Sequence, residues 1–191
     1  MEVKPGTQVY LIENVISSDF CETIKYIIDN TDGTTEEYGD RSNVQAKMVL
    51  KGDICKRTSI KFADLIDNEI YKIVRNVIIK IIDVNSFIHS ISGDSGYQLR
   101  KIHGPTRRHT DEIFTKYDKV VDSKTLRKLS LVIALNEDYE GGEFCFPEQG
   151  VEIKLKRGQA ILFPPYWTHP HYTNKLVNDT FRYTINTWLL N

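Results

Sequence analysis

Four side chains of this sequence have the types and the order that metal-dependent oxidation requires. His109 and Asp111 stand two residues apart, and His171 and Arg182 follow later in the chain. Two imidazoles and one carboxylate on one face of an iron(II) ion leave coordination positions open for O₂. An arginine beside them offers a planar fork for a carboxylate co-substrate. If these side chains converge in the fold, they indicate an oxygenase.

The third metal ligand has two candidates, because two histidines stand close together in the segment WTHPH. We favour His171, since the chain between it and Arg182 has the length of a strand, a turn and a returning strand. His169 would then lie behind the ligands or at the entrance of the site.

The elements that must position these residues are mainly predicted helices before Gly96 and predicted strands after it. Before it, the sequence predicts a short strand over 9–15, a helix that begins after Ser18 or Asp19, and a longer helix over 63–83. Segment 29–39 is rich in turn-forming residues and is predicted to be a loop. After Gly96 the pattern alternates as in strands. The predicted strands cover 97–102, 129–135, 143–146, 151–155, 160–163 and 182–189.

Two helices followed by many short strands predict an α+β fold, in which a closed or sandwiched sheet carries the helices on its outside. The length of 191 residues predicts a single domain over 1–191. Within it, 1–92 would supply the N-terminal strand and supporting helices, and 97–189 the catalytic core. His109 and Asp111 would lie in a loop just after a strand, with His171 at or near a late one.

Charge and cysteine content bear on partners and location. The formal net charge of -1 argues against bulk binding to nucleic acid or to an anionic membrane. No apolar run approaches the ~20 residues of a membrane span, and the first residues do not resemble a signal peptide. Three cysteines without CxxC spacing indicate reduced thiols, so we expect a cytoplasmic protein. The oligomeric state stays open.

The ordered motifs resemble the iron- and 2-oxoglutarate-dependent dioxygenase family, and within it the prolyl 4-hydroxylase type. They are His109-x-Asp111, Arg127-x-x-Ser130, Leu135-Asn136, Gly141-Gly142-Glu143, Gly158-x-Ala160-x-x-Phe163-Pro164, His171 and Arg182-Tyr183. The resemblance covers 97–189 and extends more loosely to the N-terminal segment VYLIENVISSDFCETI. The family often has tyrosine where Ala134 stands.

The resemblance implies a double-stranded β-helix, or jelly roll, as the core. It implies that His109, Asp111 and His171 bind Fe(II) and that Arg182 pairs with the distal carboxylate of 2-oxoglutarate. Ser130 or Thr184 would add a hydroxyl hydrogen bond to that carboxylate. The implied cofactors are Fe(II), 2-oxoglutarate and O₂, with ascorbate as a candidate reductant.

The implied reaction hydroxylates a C–H bond of the substrate, with a prolyl residue of a peptide or protein as the leading candidate, and releases succinate and CO₂. The carboxylate of Asp111 favours hydroxylation over halogenation, because related halogenases have a small residue there. A free amino acid or another small metabolite stays open as substrate. A non-catalytic jelly-roll module that binds a metal or another ligand is the non-enzymatic alternative. Trp188 stands where nucleic-acid demethylases typically carry a second arginine, which disfavours that class.

Four basic residues just before the predicted iron loop give a clue to the substrate. Arg100, Lys101, Arg107 and Arg108 form either a solvated surface or an entrance that favours an acidic or phosphate-bearing substrate. The polar segment 115–128 has the position of a loop that covers the substrate and gates the site.

Overall fold

The computed structural model describes residues 2–3, 6–30, 34–37, 45–50, 63–85, 88, 90–112 and 126–191. These described residues contain two α-helices, α1 (Ser18–Asn30) and α2 (Ala63–Val84). The strands are β1 (Glu2–Val3), β2 (Tyr10–Ile12), β3 (Thr34–Glu37), β4 (Gln45–Leu50), β5 (Gly93–Asp94), β6 (Gln98–His103), β7 (Thr106–His109), β8 (Arg127–Ala134), β9 (Glu140–Gly141), β10 (Phe144–Phe146), β11 (Val151–Ile153), β12 (Ala160–Phe163), β13 (His171–Thr173), β14 (Leu176–Val177) and β15 (Arg182–Leu190).

Both helices bury the faces that their apolar spacing predicts. Helix α1 begins where the Ser17 hydroxyl accepts a hydrogen bond from the Phe20 amide at 3.3 Å, so the cap is Ser17 and not Ser18 or Asp19. Its Ile24 and Ile28 are fully buried, as is Ile81 of α2. These side chains pack against the outer face of the large sheet.

The strands form a large sheet and a small sheet that face each other. The large sheet has the order β1-β2-β12-β8-β15-β6-β4-β3, with β5 paired to β15, and the small sheet has the order β11-β10-β13-β7. A further pair joins β14 and β9. Two opposed antiparallel sheets of this kind form the predicted jelly roll, so the predicted fold class is confirmed.

Strand β8 shows how the alternation of side chains assigns the two faces of the large sheet. Leu131 and Ile133 belong to the core shared with the helices, whereas Val132 and Ala134 belong to the core between the sheets. The inner core also contains Phe146 and Phe163, whose ring centroids lie 4.9 Å apart. The large sheet is therefore buried on both faces, and the functional side chains project from the inner one.

Two sequence predictions differ from the structure. The predicted loop over 29–39 is wrong in part, because α1 extends to Asn30 and Thr34–Glu37 forms β3, which pairs with β4. The Asp, Asn and Gly residues of this segment all lie outside β3, whose own sequence is TTEE. The short strand Thr106–His109 was also missed, and His109 is its last residue rather than part of a loop. The domain boundaries remain a prediction.

Among the described residues, neither helix is long and apolar enough to cross a membrane.

Candidate active site

The register between two strands of the small sheet brings the candidate metal ligands together. His171 at the start of β13 pairs directly with His109 at the end of β7, and Asp111 follows β7 by two residues. One ligand atom from each of the three side chains lies within 4.8 Å of the other two. All three side chains line one cavity. Two imidazole nitrogens and one carboxylate oxygen in this arrangement fit an Fe(II) ion that keeps open coordination positions.

Backbone carbonyls orient both imidazoles. The Nδ1 of His109 donates to the Arg107 carbonyl at 2.7 Å, and the Nδ1 of His171 donates to the His169 carbonyl at 3.0 Å. Because a carbonyl oxygen only accepts, the proton is on Nδ1, and the lone pair of Nε2 is available to a metal. The two Nε2 atoms lie 3.4 Å and 3.9 Å from the Oδ1 atom of Asp111.

Asp111 is fixed by contacts to β8. The Ser130 hydroxyl donates to the Asp111 Oδ2 atom at 2.6 Å, and the Arg127 guanidinium donates to the Asp111 backbone carbonyl at 2.6 Å. Burial disfavours the charged form, but the contacts with His109, His171 and Ser130 outweigh it and hold the pKa of Asp111 well below its usual range. The carboxylate is therefore ionised and oriented for a metal.

The structure separates the two candidate histidines of the WTHPH segment. The His169 ring is buried, and its Nε2 lies 2.8 Å from the Thr7 carbonyl, away from Asp111. Its Nδ1 lies 2.9 Å from the Thr168 hydroxyl. His169 thus ties the N-terminal segment to the loop before β13, while its carbonyl orients His171. This geometry favours His171 as the ligand, and the assignment of iron to it remains a prediction.

Arg182 reaches the same cavity from the large sheet and is almost fully buried, at 2% exposure. Its Nη1 donates to the Gly142 carbonyl at 2.6 Å, and its guanidinium carbon lies 4.8 Å from the centre of the Phe144 ring. No carboxylate among the described residues lies within 4 Å of it, and its Nε has no hydrogen-bond acceptor there. Burial and the nearby Arg100 lower the pKa of Arg182 to about 10, so the guanidinium is still charged at neutral pH. A buried cation of this kind fits a carboxylate ligand.

Gly142 is required for the contact that holds Arg182. Its φ of +72° lies in the left-handed region, and a Cβ atom added there would lie 2.7 Å from a methyl carbon of Leu176. The Gly141-Gly142 pair therefore allows this turn to pack against β14 and to present a carbonyl to the guanidinium.

The cavity between the sheets has a volume of about 650 Å³ and joins the metal ligands to Arg182. Its walls include apolar side chains from both sheets, among them Val132, Phe144 and Phe163. The Phe163 ring packs edge-on against His171, with ring centroids 4.6 Å apart. The volume suffices for a small co-substrate and part of a larger substrate.

Two predicted co-substrate contacts are placed differently from each other. Ser130 uses its hydroxyl to hold Asp111, whereas Thr184 lines the cavity and donates to the Asn186 side chain at 2.7 Å. Their contact with 2-oxoglutarate remains a prediction.

Arg127 is a functional residue whose role the sequence did not indicate. Besides holding Asp111, its guanidinium carbon lies 3.7 Å from the centre of the Trp188 ring. The alternation of β15 places Trp188 on the cavity face with Arg182, and both line the cavity. The motif Arg127-x-x-Ser130, whose two residues lie on β8, was the signal in the sequence that could have indicated this role.

Comparison with known proteins agrees with this geometry. Residues 97–190 match the sequence model of the 2OG-Fe(II) oxygenase superfamily. The region that carries the metal triad and Arg182 is therefore similar to this superfamily. Members of this superfamily use Fe(II), 2-oxoglutarate and O₂, in agreement with the predicted resemblance and cofactors.

The curated relatives include human prolyl 3-hydroxylase 2, which is 26% identical over 96% of this chain. The chain spans only 29% of the length of that relative. The rat protein of the same name is 26% identical over 87% of this chain.

Solved structures of prolyl hydroxylases share the fold. The viral collagen prolyl hydroxylase of Paramecium bursaria Chlorella virus 1, in complex with 2-oxoglutarate, superposes with a TM-score of 0.66 and 20% identity, covering 99% of this chain and 98% of the viral one. A prolyl hydroxylase of Trichoplax adhaerens gives a TM-score of 0.69 with 15% identity over 97% of this chain and 84% of its own. At these identities the similarity supports the fold.

Proposed function

We propose that this 2OG-Fe(II) oxygenase hydroxylates a prolyl residue of a peptide or protein, with release of succinate and CO₂. One observation carries the proposal: a single cavity joins the triad of His109, Asp111 and His171 to the buried Arg182, which no carboxylate of the described residues neutralises. The triad suits Fe(II), and the arginine suits the far carboxylate of 2-oxoglutarate.

Some residues of the cavity would bind the metal and the co-substrate, and others hold those residues in place. His109, Asp111 and His171 would hold Fe(II), and Arg182 would orient 2-oxoglutarate. When bound, these groups supply the oxidising chemistry, in which 2-oxoglutarate and O₂ yield succinate, CO₂ and one oxygen atom for a C–H bond. Ser130 and Arg127 keep Asp111 in place, and the apolar wall of Val132, Phe144 and Phe163 limits access of water.

The relatives favour a prolyl substrate. The human relative is named a prolyl 3-hydroxylase, and the structural neighbours are named prolyl hydroxylases. Because these names include more than one type of prolyl hydroxylase, the ring carbon that is oxidised is part of the test. The use of ascorbate as reductant and a cytoplasmic location are further parts of the proposal.

Reconstitution with Fe(II), 2-oxoglutarate and O₂ tests the function. Proline-containing peptides and free L-proline are supplied in parallel, and both succinate and a mass gain of one oxygen atom are measured. We expect oxygen in a peptide, at C3 or C4 of the ring by NMR, and no product with the Asp111→Ala variant. Arg108→Gln, which changes an arginine paired with Glu148, is the matched control.

Two outcomes would contradict different parts of the proposal. If only free L-proline gains oxygen, the substrate is a small metabolite and not a peptide. Failure to bind Fe(II), with no succinate formed in air, would favour the non-catalytic binding module.

A further inference from the structure

The alternation of two strands sorts the four basic residues near the metal triad into an inner and an outer pair. Arg100 on β6 and Arg107 on β7 line the cavity. Lys101 points to the other face of the large sheet, where its Nζ lies 2.7 Å from Asp29 of α1. Arg108 forms an ion pair with Glu148. Only the inner pair is placed to meet a molecule in the cavity.

The inner pair adds to a cavity that already has an excess of positive charge. Its described lining contains Arg100, Arg107, Arg127 and Arg182, but only two carboxylates, Asp111 and Glu112. Burial and the charge of Arg100 lower the pKa of both Arg127 and Arg182, and all three side chains line the same cavity. Like charges this close repel each other and raise the affinity for an anion.

Loading the site does not remove this excess. An Fe(II) ion brings two positive charges, and 2-oxoglutarate brings two negative charges, so the surplus of arginines over carboxylates persists. Arg182 is the cation assigned to the co-substrate, whereas Arg107 lies exposed at the rim, on the strand that ends in His109. Positive charge therefore extends from the interior of the cavity to its exposed rim.

The floor of the cavity around Arg100 is polar. On the paired strands β6 and β15, Arg100 stands opposite Thr184, and Gln98 stands opposite Asn186. All four side chains line the cavity. Within this floor, Arg100 donates to the Gln98 side chain and Thr184 donates to the Asn186 side chain. Such a polar surface suits a substrate group that accepts hydrogen bonds, such as a carboxylate, better than an apolar one.

We propose that Arg100 and Arg107 bind a carboxylate of the substrate, so that this protein prefers peptides with an acidic residue beside the target proline. This inference rests on the proposed function and names the substrate class for the same site. The shared chemistry is carboxylate binding by arginine, and the carboxylate belongs to the substrate rather than to 2-oxoglutarate.

Binding measured without turnover tests the preference independently of hydroxylation. The protein is loaded with Mn(II) and 2-oxoglutarate under anaerobic conditions. Three blocked peptides of alanine and glycine with one central proline, flanked on both sides by Glu, Gln or Lys, are titrated by calorimetry. We expect affinity in the order Glu, Gln, Lys, with about a tenfold difference between the extremes that shrinks as salt is raised.

Matched variants locate the effect. Arg100→Gln and Arg107→Gln should each reduce the Glu-to-Lys affinity ratio about threefold. Lys101→Gln and Arg108→Gln, which remove the same charge from neighbouring positions outside the cavity, should leave the ratio unchanged.

Three results would overturn the inference. The first is equal affinity for the three peptides, or no binding of any. The second is an equal effect of the inner and outer variants, which would indicate general surface charge. The third is a loss of 2-oxoglutarate affinity in Arg100→Gln as large as in an Arg182 variant, with the peptide preference intact, because Arg100 would then serve the co-substrate. Failure of the proposed function is distinguishable, since it would appear as peptide binding without oxygen transfer in air.

Discussion

The two ends of the cavity are prepared for their ligands in opposite ways. At the metal end, each side chain has its partners within the protein: carbonyls orient both imidazoles, and Ser130 holds Asp111. At the other end, Arg182 is buried with one carbonyl partner and no carboxylate of the described residues within 4 Å. The metal end is thus preorganised by hydrogen bonds, whereas the arginine end retains an unneutralised charge that a ligand must complete.

The largest expected effect is loss of the metal. His171→Ala should abolish binding of Fe(II) or Mn(II), because it removes one of the three metal-ligand candidates that cluster among the described residues. Calorimetric titration with Mn(II) measures this. His169→Ala is the control and should retain binding, since the His169 ring contacts Thr7 and only its backbone carbonyl contacts His171. The reverse result would show that the assignment of the ligand is wrong.

Substitution of Arg182 should affect the binding of 2-oxoglutarate but not the binding of the metal. Arg182→Met should weaken 2-oxoglutarate binding to the Mn(II)-loaded protein by about 3–5 kcal/mol, the cost of losing one partner of a buried charge pair. Mn(II) affinity should be unchanged. Without ligands, the free energy of unfolding should change little or rise, because a buried charge without a counter-ion is removed. An unaltered dissociation constant for 2-oxoglutarate would contradict the role of Arg182.

Ser130 tests how far the metal end depends on the groups behind its ligands. Ser130→Ala should lower Mn(II) affinity by about 10–100-fold, because Asp111 loses the hydroxyl that orients it. Ser130→Thr, which keeps the hydroxyl, should restore most of the affinity. If Ser130→Ala instead weakens only 2-oxoglutarate binding, its hydroxyl serves the co-substrate, as the family resemblance implied.

The smallest effect concerns pH. Burial opposes protonation of His109, but its contacts with Asp111 and the Arg107 carbonyl prevail and raise the pKa of His109 above its ordinary value. Since only neutral histidine binds a metal, Mn(II) affinity should fall as the pH drops through this raised pKa, about tenfold for each unit while one proton competes. Arg182→Met should show the same slope, since the arginine end does not titrate in this range. A flat profile between pH 8 and 6 would contradict this.

Periodicity in the sequence predicted most of the fold because burial follows local patterns. The apolar stripes of α1 and α2 and the nearly continuous apolar run of β8 each matched an element. Prediction was weakest where a strand is defined by its pairing partner rather than by an apolar pattern of its own. Thr34–Glu37 pairs as β3 at the sheet edge although the sequence around it is rich in turn-forming residues, and Thr106–His109 becomes a strand through pairing with β13.

The sequence by itself determined the chemistry. The types and order of His109, Asp111, His171 and Arg182 specify a set of ligands and a carboxylate-binding cation before any coordinates are known. Only the tertiary structure decided which histidine of the WTHPH segment faces Asp111 and that the Ser130 hydroxyl holds Asp111. It also decided which of the neighbouring basic residues face the cavity. The physical reason is that residue types set what a site can bind, whereas strand register and the direction of each side chain set which groups meet.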